Sequence, residues 1–217
     1  MLKDGEFHLT AEQLHRIVRA GGSLRNQVML QTFVQTGIRR SELAALSVSD
    51  ISQGRQLLVI RQGKGDKMRL VPVSGALLAD LMELIGQRTA GHVFLSRNGG
   101  GLSTRQINRI VAAAGRRAGV TNPNPKYRQI TCHLFRHSFA RLWKSAGGSL
   151  ESLSKILGHA SVKTTIDVYG TESLADVQRN YESTIAGLFH ADTGGRSTPC
   201  RCRVTAEESN RIGGRDG

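Results

Sequence analysis

The chain has 217 residues, of which 39% are apolar and only 5% aromatic, enough for one core of medium size. No apolar run approaches the roughly 18 to 20 residues that would span a bilayer, and Met1-Leu2-Lys3-Asp4 opens no signal-peptide core, so a cytoplasmic protein is expected. The formal net charge of +13 points to a polyanionic partner.

That excess belongs to the body of the chain: residues 191–217 hold five Arg against four acids, leaving 25 basic and 13 acidic side chains on residues 1–190. Three cysteines, Cys132, Cys200 and Cys202, make no even disulfide framework, and Cys200-x-Cys202 lacks a second ligand pair. Reduced thiols and no structural metal are expected.

Thr10-Ala11-Glu12-Gln13 reads as a capping box opening a helix with Leu14, Ile17 and Val18 on one face, ended by Gly21-Gly22. A second helix over about 24–35 is closed by Thr36-Gly37, and Ile38-Arg39-Arg40-Ser41-Glu42-Leu43 enters a third, which puts Arg39 at a helix junction. Residues 48–73 then change to short β-rich runs, Val48–Ile51, Leu57–Arg61 and Met68–Val73. The last two flank the turn Gly63-Lys64-Gly65-Asp66-Lys67 and predict a small antiparallel sheet. Ser74 caps a helix to about Gly86, His92–Leu95 is a short extended piece, and Ser103-Thr104-Arg105-Gln106 opens a basic helix to about Ala118.

Asn122-Pro123-Asn124-Pro125 leads into a helix over about 132–145, with Thr131 as N-cap and Leu134, Phe139, Leu142 and Trp143 at helical spacing. On it His133 and Arg136 are i,i+3 neighbours. A proton-transfer group beside a permanent cation near a helix N-terminus suits a reacting phosphate. Leu150, Leu153, Ile156 and Leu157 mark another helix, stopped by Gly158 just before His159. Ser161–Tyr169 reads as a short helix and 172–189 as a longer one, with Leu174, Val177, Tyr181, Ile185 and Leu188 on one side. From Ala191 the Gly, Ser, Thr and Arg content predicts a disordered tail.

Thr36-Gly37-Ile38-Arg39-Arg40-Ser41-Glu42-Leu43, Gly63-Lys64-Gly65-Asp66-Lys67 with Arg69-Leu70-Val71-Pro72, His133-Leu134-Phe135-Arg136-His137, and Leu157-Gly158-His159 with Thr164-Thr165 and Tyr169 together resemble the tyrosine recombinases, the phage integrase and Xer family. The resemblance covers about residues 8–189. It implies a mainly α fold with a small antiparallel β-sheet, with the catalytic domain over 1–190 and the tail 191–217 outside it. It also implies roles. Tyr169 matches the nucleophile that leaves a 3′-phosphotyrosyl link, and Arg39 and Arg136 match the pair that binds the non-bridging phosphate oxygens. Lys64 matches the lysine that protonates the leaving 5′-oxygen, with Lys67 as the fallback. His133 matches the acceptor of the tyrosine proton, and His159 a hydrogen-bond donor to the phosphate. His137 is assigned to packing, and Tyr181 stands as the next candidate nucleophile.

No cofactor or metal is expected. Gly63-Lys64-Gly65 lacks the Gly-x-x-x-x-Gly-Lys-Ser/Thr of a phosphate loop, and the histidines lack His-Glu-x-x-His. The implied partners are double-stranded DNA and further copies of the chain in a tetrameric synapse, with accessory proteins in some systems. The helix at 172–189 matches the segment that family members pack on a neighbouring protomer. Only about seven residues precede the first matching helix, so the family's N-terminal DNA-gripping domain is expected to be absent, leaving a minimal enzyme, a fragment or a remnant. The rival readings are a non-catalytic DNA-binding remnant and a type IB topoisomerase, the latter disfavoured by the Leu-Gly-His and Thr-Gly-Ile-Arg contexts.

Overall fold

The computed structural model describes residues 7–61, 68–158 and 174–189. Six of its described helices begin where a short polar side chain holds one of the first backbone N–H groups. Thr10 and Gln13 form a reciprocal capping box ahead of α1 (Ala11–Arg19), and Ser23 caps α2 (Leu24–Thr36). Helix α3 (Arg40–Ala45) follows after three residues.

The sheet has three antiparallel strands in the order β1 (Ile51–Ser52), β2 (Leu57–Ile60), β3 (Arg69–Pro72), with Leu57 opposite Pro72 and Ile60 opposite Arg69. Val48–Ile51 is not the strand its β-rich composition predicts. Val48–Asp50 forms a 3₁₀ turn, because the Asp50 carboxylate folds back to accept from the Ser47 N–H at 3.1 Å and only Ile51 reaches the ladder. Helices α4 (Gly75–Ile85), α5 (Thr104–Arg117), α6 (Cys132–Ser145), α7 (Leu150–Leu157) and α8 (Leu174–Phe189) complete the described α-helices.

Helix α2 lies at the centre. It packs on α1, α4 and α6 and buries Val28, Met29, Leu30, Phe33 and Val34, with Thr32, Gln35 and Thr36 buried on its remaining face. The two threonines satisfy their hydroxyls within the helix, each bonding the carbonyl one turn back. Phe33 meets Phe135 of α6 with ring centroids 6.0 Å apart. From α6 an aromatic row continues outward: Phe139 to Trp143 at 5.8 Å, then Trp143 to Tyr181 of α8 at 6.3 Å.

Tyr181 is therefore core. It is fully buried, and its hydroxyl lies 3.5 Å from Gln35 Oε1, which also accepts from Ser74 Oγ. Burial pushes the phenol far above its ordinary range, so Tyr181 falls as an alternative nucleophile. Helix α8, matched above to a segment lent to a neighbour, here covers α6, α7 and β3 of its own chain through Val177, Tyr181 and Ile185. Among the described residues, no helix is long and apolar enough to cross a membrane.

Candidate active site

One helix end and one helix start bring the site together. Gly37 ends α2 in the left-handed conformation (φ 59°) and turns the chain so that Ile38 dives into the core while Arg39 emerges at the start of α3. A Cβ there would stand 2.7 Å from Phe139 Cδ1 and 2.8 Å from Leu157 Cδ2, so the position requires glycine for space as well as for φ. On the other side, Thr131 Oγ1 accepts from the Leu134 N–H and starts α6, placing His133 and Arg136 in its first two turns.

Arg136 is 7% exposed. Its Nη1 donates to the Gly37 carbonyl at 2.9 Å, across 99 positions of sequence, and its Nη2 donates to the Leu157 carbonyl at 2.7 Å. One guanidinium thus ties the ends of α2 and α7 to α6. Both carbonyls terminate helices, where the macrodipole favours a cation.

Arg39 is held differently. Glu42, three residues on, accepts from the Arg39 backbone N–H through Oε2 at 2.7 Å and from its Nη1 through Oε1 at 2.9 Å. The Arg39 side chain remains 42% exposed, so the carboxylate holds the backbone and one guanidinium nitrogen while the rest of the guanidinium reaches solvent. Glu42 is itself buried and also accepts two bonds from Arg69 of β3, at 2.8 and 2.7 Å. Burial works to raise its pKa, but the hydrogen bonds from Arg69 and Arg39 overcome this and hold it at about 2.

Burial, and then the neighbouring Arg39 and Arg69 charges against the pull of Glu42, bring Arg136 down to about 10. Three guanidiniums against one carboxylate leave this cluster with two positive charges in excess, a setting that favours an anion.

Arg39, His133 and Arg136 line one cavity of ≈ 510 Å³, walled by the start of α3, the loop before α6, and Asn108 and Ala112 of α5. Arg136 is buried in the wall of this cavity, whereas His133, its i,i+3 neighbour, is exposed. His133 Nε2 lies 2.7 Å from His137 Nε2, with the rings edge-on, so one imidazole donates to the other. His137, read from sequence as packing, is thus a hydrogen-bonding partner of His133.

Cys132 lines the same cavity but is buried. Burial pushes its thiol up to about 12, and Sγ donates to Asn108 Oδ1 at 3.3 Å, which keeps it protonated and inert. Lys64, its fallback Lys67, His159 and Tyr169 lie outside the described residues. Among the described residues, no group of three His, Cys, Asp or Glu could hold a metal ion.

Arg40, Glu42 and Arg69 lie within the motifs quoted above but received no role there, and Asn108 and Gln129 lie outside them, although all border or brace this cavity. Only Glu42 left a local signal, the N-cap to N3 spacing from Arg39.

A mainly helical body around a three-stranded antiparallel sheet, with this basic cavity at the start of α6, is the fold of tyrosine recombinase catalytic domains. The chain belongs to the phage integrase family, whose profile matches residues 8–174. It is 30% identical over 164 residues to tyrosine recombinase XerA of Pyrococcus furiosus, a match covering 72% of this chain and 54% of that protein. The chain thus spans about half the length of the curated relatives it matches. The crystal structure of XerA recombinase superposes with a TM-score of 0.64 at 26% identity, covering 81% of this chain and 64% of the other. XerH site-specific recombinase bound to its difH substrate shares the fold, with a TM-score of 0.59 at 24% identity over 81% of this chain and 49% of the other.

Proposed function

We propose that this chain cleaves and rejoins DNA strands at specific sites through a 3′-phosphotyrosyl intermediate. The observation that carries the reading is the convergence of Arg39, Arg136 and His133 on one cavity with excess positive charge. A scissile phosphodiester placed there meets two guanidiniums whose planar forks match its non-bridging oxygens and oppose the charge that grows as phosphorus becomes five-coordinate. Two of the five N–H donors of Arg136 already hold backbone carbonyls, so it meets the phosphate in a fixed orientation.

In the proposed step the Tyr169 oxygen bonds to phosphorus and the bond to the 5′-oxygen breaks. His133 takes the phenolic proton, Lys64 supplies a proton to the departing 5′-oxygen, and His159 donates a hydrogen bond to the phosphate. Attack by another strand's 5′-hydroxyl reverses the step and releases the tyrosine. Neither a metal nor a nucleotide enters this scheme, since the phosphotyrosine conserves the broken bond. The net charge of +13 and the excess positive charge at the cavity support duplex DNA as the partner here. Exchange between two sites calls for four copies of the chain, two on each site, and the cytoplasm is the compartment proposed.

The test is Tyr169→Phe on a nicked suicide duplex that traps the covalent adduct. Adduct should disappear while duplex affinity stays nearly the same, because one phenolic oxygen adds little to binding that rests on many Lys and Arg contacts. Adduct formed by Tyr169→Phe would remove Tyr169 as nucleophile.

A further inference from the structure

Arg69 has no part in the chemistry proposed above, yet its side chain is only 9% exposed and every polar group at its tip is engaged. Nη1 and Nη2 donate to Glu42 Oε1 and Oε2 at 2.8 and 2.7 Å, a bidentate pair, and Nε donates to the Ile156 carbonyl at 2.7 Å. Each oxygen of Glu42 therefore accepts twice, once from Arg39 and once from Arg69.

The two carbonyls at the end of α7 go to two arginines: Ile156 to Arg69 and Leu157 to Arg136. The stem of Arg69 passes over Gly158, where φ is +65° and a Cβ would come within 2.8 Å of Arg69 Cδ. A lysine could carry the charge but not bond a carboxylate bidentately and a carbonyl at once.

We propose that Arg69 is a positioning residue for strand cleavage, joining β3, the carboxylate behind Arg39 and the end of α7 into one unit. The role rests on the recombinase reading. Arg39 takes its orientation from Glu42, and Glu42 takes half of its hydrogen bonds from Arg69. Loss of Arg69 loosens Glu42 behind Arg39, the end of α7 and β3 together, and misplacement of these parts by about 1 Å lowers the rate about a hundredfold.

The experiment compares the full chain with Arg69→Gln and Arg69→Lys on a pool of nicked suicide duplexes with randomised cores, carrying forward the duplex that the wild-type chain captures covalently. Single-turnover adduct rate, duplex affinity and melting temperature between pH 7 and pH 4 are the readouts. Arg69→Gln should form adduct about a hundredfold more slowly at unchanged affinity, and Arg69→Lys about tenfold more slowly.

Melting separates a lock from mere packing. In the wild type, Glu42 is held at about 2, below its ordinary value of 4.5, so it stabilises the fold above that value and the contribution is lost as pH falls toward 2. Without Arg69, burial is opposed only by the two Arg39 hydrogen bonds, so the folded value rises and the ionised carboxylate contributes less stability at neutral pH, a loss that fades as acid protonates it. The melting gap between wild type and Arg69→Gln should therefore narrow from pH 7 to pH 4. It should stay constant for Arg69→Lys, where a cation still faces Glu42.

A wild-type rate in either variant, a gap insensitive to pH in Arg69→Gln, or rate and affinity falling together would overturn the proposal. If Arg69→Gln does not fold, Arg69→Lys decides by its rate at intact affinity. A wild-type chain that captures no duplex overturns the recombinase reading instead, and melting alone then decides whether Arg69 locks the three elements.

Discussion

Arg136 and His133 stand one turn apart on α6, yet the protein treats them in opposite ways. The arginine is sunk between the ends of α2 and α7 with two backbone partners, while the histidine is exposed and touches a second imidazole. The contrast fits the two jobs proposed. A group that stabilises charge works best when already oriented, because reorientation during the reaction subtracts from its effect. A group that exchanges a proton must reach both substrate and solvent.

If the contrast holds, substitutions down α6 and at its partner Gly37 should separate stability from chemistry. Arg136→Ala should have the largest effect, since it leaves two buried helix-terminal carbonyls bare at about 1–3 kcal/mol each and removes a phosphate donor. Urea denaturation should report the stability loss and the adduct assay a nearly complete loss of cleavage. A variant with wild-type stability would show that Arg136 braces nothing.

Gly37→Ala comes next. A side chain at φ 59°, 2.7 Å from Phe139, should cost about 1–3 kcal/mol and pull the carbonyl away from Arg136. Cleavage should fall with stability, and a loss of stability alone would uncouple the α2 end from the site. His133→Gln should leave the denaturation midpoint within about 0.5 kcal/mol of wild type, as for other exposed positions. Its adduct rate should nonetheless fall by about 10²- to 10⁴-fold. A midpoint shift as large as that of Gly37→Ala would erase the contrast.

Local chemistry made much of this legible in the sequence. Thr10, Ser74, Ser103 and Thr131 announce helix starts through their own hydroxyls, and Gly37 and Gly158 announce stops through the sign of φ. Val48–Ile51 misled because Asp50 has a partner, Arg61 at 2.7 Å, as well as the Ser47 N–H, and a folded-back carboxylate outweighs the β preference of valine and isoleucine. The cavity was legible in its Arg39, His133 and Arg136, because they fall within recognisable motifs. Its bracing was not. Whether Arg69 meets Glu42, or Arg136 meets Gly37 and Leu157, depends on how distant segments dock, and no local pattern encodes that distance.

The bond from Arg136 to Leu157 also places the site in time. The carbonyl exists in its final position only after α7 has docked, and α7 is tied down at its other end by the Trp143 indole N–H, which donates to Ser149 at 2.9 Å. During synthesis α2 and α6 leave the ribosome before α7, so there are states in which both are present and α7 is not. In those states the Arg136 fork has one anchor of two and no fixed aim. On the function proposed, the phosphate clamp is complete only once α7 has docked, and a copy still lacking α7 carries no oriented clamp.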